Sequence, residues 1–289
     1  MFLKDRITGV LARDMAVALK HVARGDFKYR LYMPSILHYL MGAGTHNRFI
    51  SGKILGEFVR GDCLDFNGVR LPLPMNAADT AYLFADFRDI LYHDLFGGYY
   101  DEGDGPYEWG EVKISKGDVV IDAGANIGMF AAFAAKKGAT VYAFEPIESV
   151  RRNYLEKTAL MNPGIKVVPL ALSDTDGYCD IYLTDGSISD ASLVSARSGK
   201  KITIQTITLD SFVKTENLRA VNFVKADIEG AERLLLSGAQ NTLREFCPKL
   251  SLCTYHLPDD KEVLANLVHK ANPAYRIENK WSKMFAATY

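Results

Sequence analysis

Residues 119–128 are VVIDAGANIG, an apolar strand that runs directly into a glycine turn and then into a helix. Gly124 lets the backbone bend sharply and approach a ligand, and Gly128 allows the following helix to lie against the strand because it has no side chain. The apolar residues on one face of that helix are Ile127, Phe130, Ala131 and Ala134. This order of strand, turn and helix is typical of a nucleoside-binding α/β domain.

An acid follows the next predicted strand. TVYAFEP (140–146) places Glu145 23 residues beyond Asp122 (145 − 122 = 23), where a carboxylate can accept two hydrogen bonds from a ribose diol, and Pro146 ends the strand. Asp122 stands where a dinucleotide-binding loop normally has glycine, and its charge would repel a pyrophosphate. The pattern therefore favours a phosphate-free nucleoside such as S-adenosylmethionine over NAD, which the incomplete GxGxxG motif also disfavours.

Short apolar runs and helical segments alternate from residue 111 onward. TVYAFEP, a polar helix through Asn153 and Leu160, and the strand KVVPLAL follow the first strand and helix. CDIYLT and KITIQTI predict an inserted antiparallel pair, after which NFVKAD, one helix over AERLLLSGAQNTLREF, and KLSLCTYH resume the alternation. AYRI and MFAATY predict a closing hairpin. This alternation is typical of an α/β fold with a parallel sheet and crossover helices.

We expect two regions that meet near residue 110. Residues 1–110 are predicted to form a helical and loop segment that acts as a lid or shapes an acceptor site, because helical apolar spacing up to about residue 58 gives way to a stretch rich in Gly, Pro and aromatics. Residues 111–289 are predicted to form the nucleoside-binding domain. Four aromatic residues lie near this boundary: Tyr99, Tyr100, Tyr107 and Trp109. The preferred interpretation is that they pack in the core or at an interface; the alternative is an apolar or sugar-stacking platform.

Charge and composition argue against several kinds of partner. The chain has 34 Lys and Arg against 35 Asp and Glu, so it shows no electrostatic footprint for a nucleic acid, and a small-molecule or glycan acceptor fits better. No apolar stretch reaches the roughly 20 residues of a transmembrane helix. Charged residues interrupt the first 27 residues, where a secretory signal would be apolar, so we expect a cytoplasmic protein. The oligomeric state is not predicted.

PLALSD (169–174) ends the third predicted strand beside the same crevice. Ser173 and Asp174 are expected to border an adenine, although Asp174 fits a hairpin turn over DTDG equally well. The predicted cofactor-binding set is therefore Asp122, Gly124, Ala125, Asn126, Gly128, Glu145, Pro146, Ser173 and Asp174.

Two further strands place titratable side chains at the carboxyl edge of the sheet, where open α/β sheets bind their ligands. Asp227 and Glu229 follow NFVKA and are candidates to orient a substrate hydroxyl or to take its proton; the alternative is capping of the next helix. His256 ends KLSLCTYH and is a candidate general base, because an imidazole titrates near neutrality, whereas a lone histidine is more often structural.

These blocks, in this order, resemble the FkbM family of S-adenosylmethionine-dependent methyltransferases, whose members mostly methylate hydroxyls of sugars, polyketides and related metabolites. The resemblance spans about residues 117–257 and rests on GDVVIDAGANIGMF, YAFEP, PLALSDTDG, ITLDSF, VNFVKADIEGAERLLLSGA and PKLSLCTYH. It implies a Rossmann-like class I methyltransferase fold, with a mostly parallel seven-stranded sheet and helices on both faces.

The resemblance also implies roles for individual residues. The implied cofactor contacts are Asp122, Gly124, Asn126, Gly128 and Glu145, while Asp227 and Glu229 belong to a DxEG block beside the substrate. The strand after that block often ends in an acid in the family, and here Tyr255-His256 takes that place.

Three alternatives remain open at this point, one of which is an NAD-dependent oxidoreductase that Asp122 and the incomplete GxGxxG motif disfavour. A metal-assisted O-methyltransferase would use Asp227, Glu229 and His256 as ligands for Mg²⁺. A catalytically inactive regulatory or scaffold protein would keep the nucleoside site without turnover.

Overall fold

The computed structural model describes residues 55–75, 77–91, 95, 104–183, 191–192 and 200–288. The helical segment expected before residue 55 lies outside the described residues, as do Tyr99 and Tyr100. The described residues fall into two compact units, a smaller one that contains residues 55–59 and 74–84 and a larger one that contains residues 60–73 and those from 85 onward. Every side chain of the candidate site described below belongs to the larger unit.

The strands are short, between two and eight residues each. In chain order they are β1 (Val59–Arg60), β2 (Cys63–Phe66), β3 (Val69–Pro72), β4 (Val119–Ala123), β5 (Thr140–Phe144), β6 (Ile165–Val168), β7 (Ala171–Leu172), β8 (Gly177–Leu183), β9 (Ala191–Ser192), β10 (Lys200–Ile207), β11 (Phe223–Ala226), β12 (Lys249–Cys253), β13 (Arg276–Lys280) and β14 (Lys283–Ala287).

The helices alternate with the strands of the main sheet. They are α1 (Ala77–Asp86), α2 (Met129–Lys136), α3 (Glu148–Val150), α4 (Glu156–Met161), α5 (Leu209–Thr215), α6 (Glu232–Ser237), α7 (Gln240–Phe246) and α8 (Asp260–Ala271). A π-helical turn, Phe87–Leu91, follows α1, and another, Arg151–Leu155, joins α3 to α4. Among the helices that are described, none combines the length and the apolar character needed to cross a bilayer.

Seven strands form the main sheet of the described residues, in the order β13-β14-β12-β11-β4-β5-β6. β14 runs antiparallel to both of its neighbours, and the other pairs are parallel. This confirms the predicted Rossmann-like sheet and its closing hairpin. Because the parallel strands share one carboxyl edge, the residues that follow β4, β5, β11 and β12 meet there.

The side chains of each strand alternate between the two faces of the sheet. Ile121 of β4 and Val224 of β11 belong to the buried core that also contains residues of α5, α6, α7 and α8. On the opposite face, Phe223, the residue before Val224, has its ring centre 6.0 Å from that of Phe130 in α2. Helices therefore cover both faces, as expected.

The helix α2 is buried all round, which differs from the single apolar face expected from the sequence. All six residues from Met129 to Ala134 are buried. The reason is that α2 packs against β5 on one side and against α4 and the β2–β3 hairpin on others. No solvent-facing side remains to be polar over this stretch.

KVVPLAL is not one strand, contrary to the expectation. β6 ends at Val168, and Ala171–Leu172 form β7, which pairs in parallel with β10 in a second sheet. Pro169 separates the two because proline lacks the N–H that a ladder needs. The same second sheet contains the predicted antiparallel pair, β8 with β10.

AERLLLSGAQNTLREF is likewise two helices rather than one. α6 ends at Ser237 and α7 begins at Gln240. Gly238 lies so close to β7 that a Cβ on it would be 2.1 Å from the Ser173 carbonyl oxygen. Asp210 then accepts hydrogen bonds from the backbone N–H groups of Asn241 and Thr242, which satisfies the free donors at the start of the second helix.

Candidate active site

The glycine turn after β4 is held in a left-handed backbone conformation. φ is 73° at Gly124, 50° at Asn126 and 89° at Gly128. A Cβ on Gly124 would lie 2.1 Å from the Asp227 carbonyl oxygen, so the turn touches the loop after β11 directly. A Cβ on Gly128 would lie 2.8 Å from Leu155, so this glycine makes room for the next helical segment. The sequence had instead suggested that it makes room for packing against its own strand.

A buried lysine fixes this turn. Lys225 donates hydrogen bonds to the carbonyl oxygens of Gly124 (2.7 Å) and Ala123 (3.2 Å), and its ammonium lies 3.0 Å from Asp122 Oδ1 as an ion pair. Its side chain is 5% exposed and that of Asp122 is fully buried. Burial lowers the pKa of Lys225, but the carboxylates of Asp122 and Asp227 raise it by more. The sequence analysis assigned no role to Lys225, although a lysine inside an apolar strand indicates a buried charge that needs a partner.

Glu145 lies at the end of β5, beside the turn. Its Oε2 accepts a hydrogen bond from the backbone N–H of Asn126 (3.1 Å) and its Oε1 one from that of Ile147 (2.8 Å). Burial raises the pKa of Glu145 to about 7, against the two hydrogen bonds that lower it. The structure thus brings Glu145 next to the turn, with Ala125 bonded through its N–H to the Phe144 carbonyl (2.9 Å).

Asp227, directly after β11, is held by two tyrosines. The Tyr107 hydroxyl donates to its Oδ2 (2.6 Å) and the Tyr255 hydroxyl to its Oδ1 (3.0 Å). Burial raises the pKa of Asp227, but Lys225 and the Tyr107 hydrogen bond lower it by more, so the net pKa is lowered. Tyr107 is only 8% exposed, so packing was the correct interpretation of this aromatic residue.

Two further ionisable groups lie near the site, Lys283 beside Tyr107 and Asp86 near Lys225. Lys283 of β14 is 1% exposed, lies 4.4 Å from the centre of the Tyr107 ring, and donates to the Asp104 and Gly105 carbonyls at 2.8 Å each. Burial raises the pKa of Asp86, at the end of α1, to about 8, against the charge of Lys225. Sequence reasoning did not identify either Lys283 or Asp86.

His256 follows β12 and is surrounded by acids. Nδ1 lies 3.3 Å from Oε1 of Glu232, and Nε2 lies 3.4 Å from Oε2 of Glu229 and 3.7 Å from Oδ1 of Asp227. Burial lowers the pKa of His256, but the contact with Glu232 and the charges of the three acids raise it by more. Glu229 has a φ of 55°, a conformation that non-glycine residues seldom adopt.

Three of these side chains could in principle surround a cation. Asp227, Glu232 and His256 each offer a ligand atom within 4.8 Å of the others, so Glu232 takes the place that the sequence gave to Glu229 in a metal set. However, the Glu232 oxygens already accept the backbone N–H groups of Ile228 (2.8 Å) and Gly230 (3.1 Å), and Asp227 is bonded to two hydroxyls. The oxygens of both acids are therefore already engaged by hydrogen-bond donors.

Ser173 and Asp174 are not brought to the glycine turn by any contact of the described residues. Ser173 follows β7 of the second sheet and its N–H donates to the Ile207 carbonyl (3.0 Å). Asp174 is exposed and accepts from the hydroxyls of Ser173 and Thr175. Their role beside an adenine stays a prediction.

Comparison with known proteins identifies the chemistry. The methyltransferase FkbM domain model matches residues 122–277. The chain is 28% identical over 209 residues to the 31-O-demethyl-FK506 methyltransferase FkbM of Streptomyces tacrolimicus, covering 60% of this chain and 75% of that one. It is 32% identical over 132 residues to the hexuronic acid methyltransferase AglP of Haloferax volcanii, covering 46% of this chain and 54% of that one.

A solved structure, methyltransferase FkbM from Methylobacillus flagellatus, aligns with 85% of this chain and 60% of its own, at 21% identity and a TM-score of 0.48. The chain thus spans just over half of AglP and 60% of the solved chain. The family match and the named relatives define an S-adenosylmethionine-dependent methyltransferase. Since the matched residues make up more than half of the sequence, the chain belongs to the methyltransferase FkbM domain family.

Proposed function

We propose that this protein transfers the methyl group of S-adenosylmethionine to a hydroxyl oxygen of a sugar or of a sugar-like small metabolite. The observation that carries the proposal is the placement of Glu145, Asp227 and His256 at one edge of the sheet, around the turn that contains Gly124. One relative acts on 31-O-demethyl-FK506 and another on a hexuronic acid, which supports an oxygen-rich small-molecule or glycan acceptor.

The residues at the turn fit this cofactor. Glu145 has both oxygens fixed by backbone N–H groups and each can accept one ribose hydroxyl. The carboxylate of Asp122 is fully buried, and within the described structure its contact with Lys225 is an ion pair without hydrogen-bond geometry. A second cation, such as an α-ammonium group, would satisfy it. When bound, S-adenosylmethionine supplies an electrophilic methyl group on a sulfonium.

The remaining cofactor contacts follow from the same turn. We assign them to Gly124, Ala125, Asn126, Gly128 and Pro146, whose backbone lines the turn and the end of β5. The two glycines allow the turn to pack tightly against its protein neighbours, since their Cβ positions face the Asp227 carbonyl oxygen and Leu155.

The acceptor side is formed by Asp227, Glu229 and His256. The protein mainly has to align the hydroxyl with the methyl group and remove one proton. The side chains of Asp227 and Glu229 are 24% and 38% exposed, so an acceptor can reach them. Their position after β11 places them across the turn from Glu145.

The proposal is tested by calorimetry with S-adenosylmethionine, S-adenosylhomocysteine and NAD. We expect binding of the first two only. Acceptors are then screened by mass spectrometry for the gain of one methyl group, with 31-O-demethyl-FK506, methyl glucuronides and neutral methyl hexosides as probes. Cofactor binding without methyl transfer to any probe would favour the regulatory alternative.

Single variants separate the two halves of the site. Glu145→Ala should weaken cofactor binding first, whereas Asp227→Ala or Glu229→Ala should lower turnover and spare binding. Glu148→Ala is the matched control, because Glu148 is an acid three residues further along the chain whose side chain is 66% exposed. Equal losses of binding and turnover in all site variants would contradict this division of roles.

A further inference from the structure

Tyr255 is an exposed aromatic residue to which the proposed function has given no role. It lies two positions beyond Cys253, where β12 ends, and is therefore at the carboxyl edge of the main sheet. Its side chain is unusual there because the residue is 47% exposed. Among the described residues, the other exposed large apolar side chains lie away from the loops that follow β4, β5, β11 and β12; they are Val59, Leu73, Met75, Leu160 and Tyr178.

Three contacts hold the Tyr255 ring in place. Its hydroxyl donates a hydrogen bond to Oδ1 of Asp227 (3.0 Å). Its ring centre lies 4.1 Å from that of His256, whose side chain is only 7% exposed. The preceding residue, Thr254, donates its backbone N–H to the Ser282 carbonyl (2.9 Å), which ties the end of β12 to the closing hairpin. Because a tyrosine side chain has only two rotatable bonds, these contacts make the ring a rigid surface.

The acid that anchors the Tyr255 hydroxyl is itself held from the other side. Oδ2 of Asp227 accepts the hydroxyl of Tyr107 (2.6 Å), which is 8% exposed and so belongs to the protein interior. The next acid of the same loop, Glu229, has a side chain that is 38% exposed. The exposed ring of Tyr255 therefore lies directly beside the two carboxylates that we propose for the acceptor side of the site.

The chemistry of this surface suits a saturated sugar ring. The face of an aromatic ring is weakly negative and attracts the weakly positive C–H groups that form the flat face of a pyranose. Carboxylates at the rim of the aromatic ring can accept hydrogen bonds from the hydroxyls that project from the edge of the same sugar. An open-chain polyol carries similar hydroxyls but has no flat C–H face. The two kinds of acceptor should therefore be distinguished at this position.

We infer that Tyr255 is a specificity-determining residue on which the ring of a pyranose acceptor stacks, so that a hydroxyl at the edge of that ring reaches Asp227 and Glu229. The inference rests on the proposed function and narrows its acceptor to a molecule with a saturated sugar ring. Stacking holds the acceptor equally well before and during methyl transfer. Loss of the ring should therefore raise KM for the acceptor and leave kcat nearly unchanged.

Stacking can be measured without turnover, by saturation-transfer NMR on the complex with S-adenosylhomocysteine. The protein is perdeuterated except at its tyrosine side chains, and the probes are methyl β-glucopyranoside, methyl β-glucuronide and the open-chain polyol glucitol. We expect transfer from tyrosine to the ring C–H protons of a glycoside and none to glucitol. Absence of transfer to both glycosides in the wild type, or equal transfer to glucitol, would overturn the inference.

Two variants assign the transfer to one ring. Tyr255→Leu should abolish it, whereas Tyr178→Leu should leave it unchanged. Tyr178 is the matched control because it is a 76% exposed tyrosine in β8 of the second sheet. Binding of S-adenosylhomocysteine to each variant checks that the protein is folded. Undiminished transfer in Tyr255→Leu would overturn the inference.

The kinetic arm uses a glycoside that is methylated in the probe screen. Tyr255→Leu should raise its KM about tenfold, the size of a typical aromatic stacking contribution. Tyr255→Phe keeps the ring and loses only the hydrogen bond to Asp227, so its KM should stay within about threefold of the wild type. Equal rises in KM for the two variants, or a fall in kcat with KM unchanged, would overturn the inference. Failure of the wild type to bind S-adenosylhomocysteine would instead overturn the proposed function.

Discussion

Gly124 and Asp227 are in backbone contact: a Cβ on the glycine would lie 2.1 Å from the carbonyl oxygen of the aspartate. The two residues belong to the two halves of the candidate site, one at the turn proposed to bind the nucleoside and the other on the proposed acceptor side. They meet because β4 and β11 are adjacent and parallel, so that Ala123 pairs with Ala226 immediately before them. The turn after β4 and the loop after β11 can therefore lie this close together only because Gly124 has no side chain.

Gly124→Ala should lower the free energy of unfolding by about 3 kcal/mol, because the new methyl group combines a left-handed φ with a backbone overlap. Gly117→Ala is the matched control, since Gly117 has a φ of 90° but nothing within 4 Å of its Cβ position. Its cost should be about 1 kcal/mol, from the backbone conformation alone. Urea unfolding of both variants measures the difference, and equal costs would show that the overlap is relieved by movement of the loop.

Lys225→Met should destabilise the protein by roughly 3 kcal/mol, because it leaves the fully buried Asp122 without its cation. Adding Asp122→Asn should restore part of that loss, since the uncompensated charge is then removed. Thermal unfolding of the two single variants and of the double variant gives the coupling. If the stability losses of the two single variants simply add in the double variant, Lys225 stabilises the protein only through its hydrogen bonds to the carbonyls of the turn.

S-adenosylhomocysteine binding at pH 6 should release about one proton, because the pKa of Glu145 is raised to about 7 and two ribose hydroxyls require its ionised form. Affinity should therefore rise from pH 6 to 8 and then level off. Calorimetry in two buffers of different ionisation enthalpy measures the number of protons that are released on binding. Glu145→Gln should abolish the release, and a variant that still releases the proton would assign it to another group.

The ligand-free stability should show the opposite trend with pH. The carboxyl of Glu145 has an ordinary pKa of 4.5 in the unfolded chain and one of about 7 in the folded protein, so its contribution to stability falls as the pH rises between these values. Urea unfolding of wild type and of Glu145→Gln, compared at pH 5 and pH 8, isolates this contribution. A difference between the two proteins that does not change with pH would show that burial does not raise this pKa.

Magnesium should have no specific site at Asp227, Glu232 and His256, because the oxygens of both acids are engaged by hydroxyl and backbone donors. Titration with MgCl₂ or MnCl₂ should give no saturable heat at millimolar concentrations. Activity should survive dialysis against EDTA. Loss of activity that Mg²⁺ restores would support the metal-assisted alternative.

The parts of the site that the sequence predicted are those encoded locally. Residues 119–128 specify a strand and the turn that leads into a helix, and Glu145 directly follows the very next strand, so the order of elements was enough to predict that they lie together. The closing hairpin also follows from adjacent apolar runs. The helix break at Gly238 was missed because it depends on Asp210, about 30 positions earlier, which caps the second helix.

The site residues that the sequence analysis did not identify make their contacts over long sequence separations. Tyr107 is 120 positions from Asp227, and Lys283 is 178 positions from Gly105. Neither belongs to a motif, and no periodic pattern indicates that a tyrosine in one loop will donate to an acid in another. Glu232 was hidden for a different reason, since an acid in the first turn of a helix is common for dipole compensation.

The hydrogen bond from Tyr107 to Asp227 has a consequence for engineering. Tyr107 precedes the stretch that matches the family model, yet its hydroxyl donates a hydrogen bond to an acid within that stretch. A chimera that exchanges the N-terminal portion between family members at residue 110 would replace Tyr107, and with it the hydrogen-bond donor to Asp227, by the residue of another family member. Grafting a new acceptor preference should therefore place the junction ahead of residue 104, so that Tyr107 and the carbonyls of Asp104 and Gly105 that bind Lys283 stay with their own sheet.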